Sequence, residues 1–465
     1  MNESRVRFLT IILCVLVSGV AALGQTTAPA TTPIAPPTGK APVIIIPGLT
    51  GSDLVNSRTG EEVWFNSHRS REDDIRLPIS GNLAQNRDNL VAKDIIRSVR
   101  FFKFLPETEI YERLIDALRT RGGYREAKWN TAGRGDAKDT FYVFAYDWRR
   151  DNVENARLLI RRIEMLKRRL GQPNLKFNIV AHSMGGLIAR YAAMYGNADL
   201  PAGPPQPTWA GAKHFDKIFL LGTPNEGSIS ALSSLLNGFS YVGATGINLP
   251  FIQDITRFDV FTIPSAYQLL PHDGAFTAYD ENLKPIPIDI YDPAEWEKYD
   301  WAVWKDEAFT KKFDANEQKY AKPFFIAALA RAKQFQLSLD ATSNTKPPVT
   351  FYLMGADCKE TPTAIVLIRD EKKNRWETRF KADGFTRSNG EKVKDTDLKP
   401  LLFGVGDSVV TKASLSGVTL MNGSKPFPIA AELYQCVGHN KLATSPEVQD
   451  KLFTYLNTAL PAAAP

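Results

Sequence analysis

Residues 177–191 read Phe-Asn-Ile-Val-Ala-His-Ser-Met-Gly-Gly-Leu-Ile-Ala-Arg-Tyr, an apolar run that turns through Ser183 into a helical pattern with Leu187, Ile188 and Tyr191 on one side. A serine on a sharp strand-to-helix turn projects its hydroxyl as a nucleophile, provided the residues two before and two after it are small. Ala181 and Gly185 meet that condition, Ala181 with a methyl group where glycine is usual. The bland reading is a strand–turn–helix without chemistry, and the strand before and helix after the serine argue against it.

A nucleophilic serine needs a base, and the chain has five histidines: His68, His182, His214, His272 and His439. On the fold such an elbow implies, the order is serine, acid, histidine. His439 is the last of the five and stands just before a final helical pattern of Val448, Leu452 and Leu456. His182 adjoins the serine, and its side chain is expected to point away from it. The acid should stand between Ser183 and His439 and orient the imidazole. Asp407, after Gly406 at a strand end, is preferred to Asp383, Asp395 and Asp397, which lie in polar, basic stretches. A Gly-Asp pair is also ordinary turn chemistry. Two backbone N–H groups should receive the oxyanion, one from Met184 and one from Leu49, where the run Pro42–Ile46 breaks at Pro47-Gly48.

These residues stand among longer strings: Pro42–Ser52, Glu62-Val-Trp-Phe65, Ala145-Tyr-Asp-Trp-Arg-Arg150, Leu221-Gly-Thr-Pro-Asn-Glu-Gly-Ser228 and Pro264-Ser-Ala-Tyr-Gln-Leu-Leu-Pro271. In that order the set resembles the lecithin:cholesterol acyltransferase-like lipases and acyltransferases, a family that includes lysosomal phospholipase A2 and phospholipid:diacylglycerol acyltransferases. The resemblance runs from Pro42 to about His439. It implies an α/β-hydrolase fold, a triad of Ser183, Asp407 and His439, and an oxyanion hole from Leu49 and Met184, in agreement with the reading of the residues themselves. Leu49 departs from the polar residue often found there, so a head-group preference does not carry over. Cysteines of the mammalian disulfide loops are also missing.

The chain of 465 residues is 43% hydrophobic, enough for one large core or two small ones. Residues 1–24, with Arg5 and Arg7 before an apolar Phe8–Val17, read as a signal peptide, with an uncleaved anchor as the alternative. Export to a periplasmic or extracellular space follows. Residues 25–40 are rich in Thr, Pro and Ala and read as a linker. Cys14 falls in the leader, which leaves Cys358 and Cys436, bonded or free, after strands expected to be neighbours. No zinc-ligand spacing and no cofactor motif occurs. Fifty-seven Lys and Arg against 51 Asp and Glu is too small an excess to argue for nucleic acid.

From residue 41 to 465 the pattern is α/β, a mostly parallel sheet flanked by helices. The expected strands include Phe141–Ala145 and Lys217–Leu221. Asp151–Glu154 reads as a capping box opening a helix with Leu158, Leu159, Ile163, Leu166 and Leu170 inward. Two insertions interrupt the pattern: residues 225–348, expected as a cap, and the smaller 53–103, expected as a lid. In the smaller one Trp64, Phe65 and the run Arg97–Leu105 mix apolar and cationic groups suited to a lipid surface, or, with Phe101, Phe102 and Phe104, to packing under the core. The expected activity is acyl transfer through an acyl-serine from a lipid ester to water or to a lipid alcohol. A polyester or peptide hydrolase of the same fold and a non-catalytic lipid-binding protein are the alternatives. No pattern assigns an oligomeric state.

Overall fold

The computed structural model describes residues 39–66, 75–99, 108–239, 255–272, 274–343, 345, 347–417 and 427–458. The leader, nearly all of the linker, His68, and Phe101, Phe102 and Phe104 lie outside the described residues.

Seven strands form the central sheet: β1 (Val43–Ile46), β2 (Arg125–Glu126), β3 (Thr140–Val143), β4 (Phe177–His182), β5 (Phe215–Leu221), β6 (Thr350–Gly355) and β7 (Ile429–Tyr434). Their order is β7-β6-β5-β4-β1-β3-β2, and every pairing is parallel. Successive side chains of a strand point to opposite faces, so a sheet covered on both sides reads as a continuous apolar run. In β1, Ile44 and Ile46 join the core on one face, while Val43 and Ile45 join the core on the other.

On the first face lie α2 (Asn152–Leu170) and α3 (Met184–Tyr195), and on the second lie α1 (Glu112–Thr120) and α6 (Pro446–Asn457), with α4 (Ile229–Asn237) and α5 (Ala315–Asp340) between α3 and α6 in the chain. Asp151 caps α2 by accepting from the N–H groups of Val153 and Glu154, and Gly171 ends it at φ +67°. The expected capping box is half made, because Glu154 pairs with Arg87 and Arg150 rather than with the cap backbone. Of the four leucines and one isoleucine expected inward, Leu158 is only half-buried and Ile160 takes an inward place instead. Helix α3 is buried on every side, and Tyr195 and Arg190 bond to the carbonyl oxygens of Ser338 and Leu339 at the end of α5.

The described part of residues 225–348 is mostly helical, but the strands Thr277–Tyr279 and Pro285–Ile286 form a four-stranded sheet with Ala364–Asp370 and Arg375–Arg379. This layer is therefore shared between residues 225–348 and the excursion that separates β6 from β7. In the smaller insertion, Leu54–Asn56, Glu62–Trp64 and Leu90–Val91 make a three-stranded antiparallel sheet. Trp64 is buried there, its ring edge-on to Trp148, so it does not belong to a lipid-facing surface. Arg97 is likewise engaged, with Asp94, Glu112 and Glu126.

Cys358 and Cys436, just past β6 and β7, form a disulfide with Cα atoms 5.4 Å apart. The bond closes a loop of 78 residues' separation, which in the chain-entropy description stabilises the fold by about 4 kcal/mol. Replacing both cysteines by serine is expected to lower the unfolding free energy by about that amount in urea titration. An unchanged midpoint would mean that the bond constrains little.

Candidate active site

Ligands of parallel sheets sit outside the carboxyl ends of the strands, where the strand order reverses. Here that point lies between β1 and β4, paired from Val43 with Asn178 to Ile46 with Ala181. The loop 47–52 leaves one strand and Ser183 leaves the other.

Ser183 adopts φ +54° and ψ −129° as the first residue before α3, a conformation that side chains other than glycine rarely take. The turn leaves no room beneath it. A Cβ on Gly185 would come within 2.8 Å of the carbonyl oxygen of Ile46, and one on Gly48 within 2.8 Å of the Ser183 Cβ. Small residues are thus demanded by backbone contact between β1 and the elbow.

Ser183 Oγ lies 2.9 Å from His439 Nε2, and His439 Nδ1 lies 2.7 Å from Asp407 Oδ2. Asp407 and His439 are almost fully enclosed. Asp407 Oδ1 accepts from the N–H groups of Val409 and Val410, and its own carbonyl accepts from His439 N–H at 2.8 Å. Burial, the largest influence on the Asp407 carboxyl, pushes its pKa up, yet the charge and hydrogen bond of His439 and the two N–H groups together hold it below the ordinary 3.8. Gly222, at φ +58°, packs under this pair, where a Cβ would stand 3.0 Å from Asp407 Oδ2 and 3.1 Å from His439 Nδ1.

The other expected candidates lie elsewhere. Asp395 and Asp397 are exposed in the first turn of the helix Asp395–Leu402, and Asp383 is exposed. His214 stands beside Lys167, and His272 pairs with Asp340 at 2.8 Å.

Met184 opens α3, so its N–H has no carbonyl one turn earlier to bond. Among the described residues none accepts from Leu49 N–H. Both strands' exits border one cavity of about 530 Å³, lined by Leu49, Ser183 and His439 together with apolar side chains such as Ile110, Ile229 and Val410.

Several motif residues brace these loops. Tyr146 donates to the Pro47 carbonyl, Trp64 to that of Thr50, and Trp148 to that of Ser52. Arg149, wholly buried, joins Asp88, Asp147 and the Ile75 carbonyl. From the loop after β5, Ser228 donates to the Val409 carbonyl and Asn225 to that of Leu415, while Glu226 N–H bonds Ser414. These bonds fasten that loop to the one carrying Asp407.

Tyr111 and His182 were not among the expected site residues. Tyr111 Oη accepts from Gly48 N–H at 2.9 Å and lies 2.9 Å from His182 Nδ1. His182 Nε2 lies 3.1 Å from the His439 carbonyl oxygen. The side chain of His182 does point away from the serine, but towards the main chain of the histidine.

The profile of the lecithin:cholesterol acyltransferase family matches residues 106–318, a stretch that includes Ser183 and stops short of Asp407 and His439. No curated protein matches the chain. Among solved structures, a chain of the Tle4–Tli4 complex superposes with a TM-score of 0.53 at 14% identity, covering 90% of this chain and 98% of that one. The lipase BlEst2 of Bacillus licheniformis in its mature form gives a TM-score of 0.34 at 12% identity, over 92% and 95% of the two chains. The seven-stranded parallel sheet with helices on both faces is an α/β-hydrolase fold. Over residues 106–318 the chain is similar to the lecithin:cholesterol acyltransferase family.

Proposed function

We propose that the chain is a serine-dependent enzyme of lipid esters, a hydrolase or an O-acyltransferase. The observation that carries this reading is the line from Asp407 through His439 to Ser183 Oγ, ending in an apolar cavity. In it, Ser183 attacks the ester carbonyl while His439 takes the hydroxyl proton. The oxyanion is received by the N–H groups of Leu49 and Met184. His439 returns the proton to the leaving alcohol, and the acyl-serine passes its acyl group to water or to a lipid alcohol. Which acceptor wins depends on how far the cavity excludes water in the second step. The family match supports a lipid ester as substrate. The Cys358–Cys436 bond supports export, since disulfides persist in oxidising compartments.

The test is to incubate the purified protein and Ser183→Ala with phospholipid vesicles, with and without a lipid alcohol, and to separate free fatty acid from new ester. Free acid alone that disappears in the variant marks a hydrolase, and new ester that disappears with it marks an acyltransferase. Equal product from both proteins would overturn the role given to Ser183.

A further inference from the structure

Three hydrogen bonds cross beneath the serine and connect the loop after β1 to the loop after β7. At one end is Gly48 N–H, which can only donate. At the other is the His439 carbonyl, which can only accept. These two ends fix the direction of every hydrogen between them. His182 Nε2 must carry the proton that bonds the carbonyl, so Nδ1 is bare and accepts from the Tyr111 hydroxyl, whose oxygen in turn accepts from Gly48. Burial, then the neighbouring His439, pushes the His182 pKa down to about 3, which keeps it in the neutral tautomer this direction needs. Its ring centroid is 4.9 Å from that of His439. The peptide of Gly48 also adjoins Leu49, and that of His439 is bonded to Asp407.

We propose that Tyr111 and His182 are positioning residues: their relay sets the separation between the oxyanion loop at Gly48–Leu49 and the base His439, on either side of Ser183. The inference rests on the serine reading above. A transition state needs the oxyanion donors and the base placed at once around one carbonyl, and a misplacement of about 1 Å costs about a hundredfold in rate. Loosening either end of the relay lets the two loops drift independently. Bonds polarised in one direction also strengthen one another, so the relay acts as a unit.

The variants are Tyr111→Phe, His182→Gln and the pair, assayed for hydrolysis of a p-nitrophenyl ester and for labelling of Ser183 by a fluorophosphonate. Tyr111→Phe removes one oxygen and keeps the ring, so it carries the test alone if the His182 variant does not fold. Each single variant is expected to lower kcat about 10- to 100-fold with KM within about twofold, and the double to lose no more than the worse single. Changes in thermal stability with kcat preserved, losses that multiply in the double variant, or a rise confined to KM would each overturn the relay. A wild-type protein that neither hydrolyses the ester nor takes the label would instead overturn the serine reading, so the two failures are distinguishable.

Discussion

Ser183→Gly is expected to lose ester turnover by about a millionfold while unfolding at a free energy about 1 kcal/mol higher than Ser183→Ala. Both variants lack the hydroxyl, so both lose the covalent route and keep only what the cavity and the oxyanion donors supply. They differ at the backbone. Ser183 stands at φ +54° and ψ −129°, which costs a residue with a Cβ on the order of 1–3 kcal/mol. Alanine retains that strain, whereas glycine removes it and returns about 0.5–1 kcal/mol in unfolded-state entropy. The strain accompanies the placement of Oγ at the top of the turn beside His439 Nε2, so loss of turnover follows from the missing hydroxyl in both variants and the stability difference from the missing Cβ in one. Urea denaturation and ester hydrolysis of the three proteins check both parts. If the alanine variant is as stable as the glycine variant, the elbow stores no usable strain. If it hydrolyses like the parent, Ser183 is not the nucleophile.

The three residues on this line were legible for different reasons. Ser183 has a local pattern, because the elbow forces small residues at fixed offsets and leaves a string behind. His439 follows by elimination among five histidines, which a chain richer in histidine would not allow. Asp407 stands out from Asp383, Asp395 and Asp397 only by its context after Gly406.

Tyr111 and His182 left no comparable trace. Their bonds span 63, 71 and 257 positions of sequence, and no periodicity encodes such a pairing. The same cause hid the surroundings of α3. Arg190 and Tyr195 find their carbonyl partners on α5, far downstream, and α3 is buried all round. In sequence Trp64 stands in a segment suited to a lipid surface, but its indole N–H donates to the buried Thr50 carbonyl. Elements with a period were readable, while contacts made across the fold were not.

Asp407→Asn is expected to lower kcat by about 10⁴-fold with substrate binding little changed. The cause is directional. Oδ1 of Asp407 accepts from Val409 and Val410 N–H, so an asparagine must put its oxygen there to leave neither donor unpaired. Its NH₂ then faces His439 Nδ1, where Oδ2 stood at 2.7 Å. A donor in that place obliges Nδ1 to accept, moves the ring proton to Nε2 and removes the lone pair that Ser183 needs. The imidazolium formed in the transition state also loses its counter-charge. The substitution carries a second signature in pH. The Asp407 pKa is depressed on folding, so its contribution to stability is present above the unfolded value of about 3.8 and is lost as pH falls through the lower folded value. The stability lead of the parent over the variant is therefore expected to be flat above about pH 5 and to shrink below about pH 4. Steady-state kinetics with urea titrations from pH 3 to 7 test the two halves separately. A variant with kcat within tenfold of the parent would remove Asp407 from the line, and a lead that grows on acidification would reverse the sign of the pKa shift.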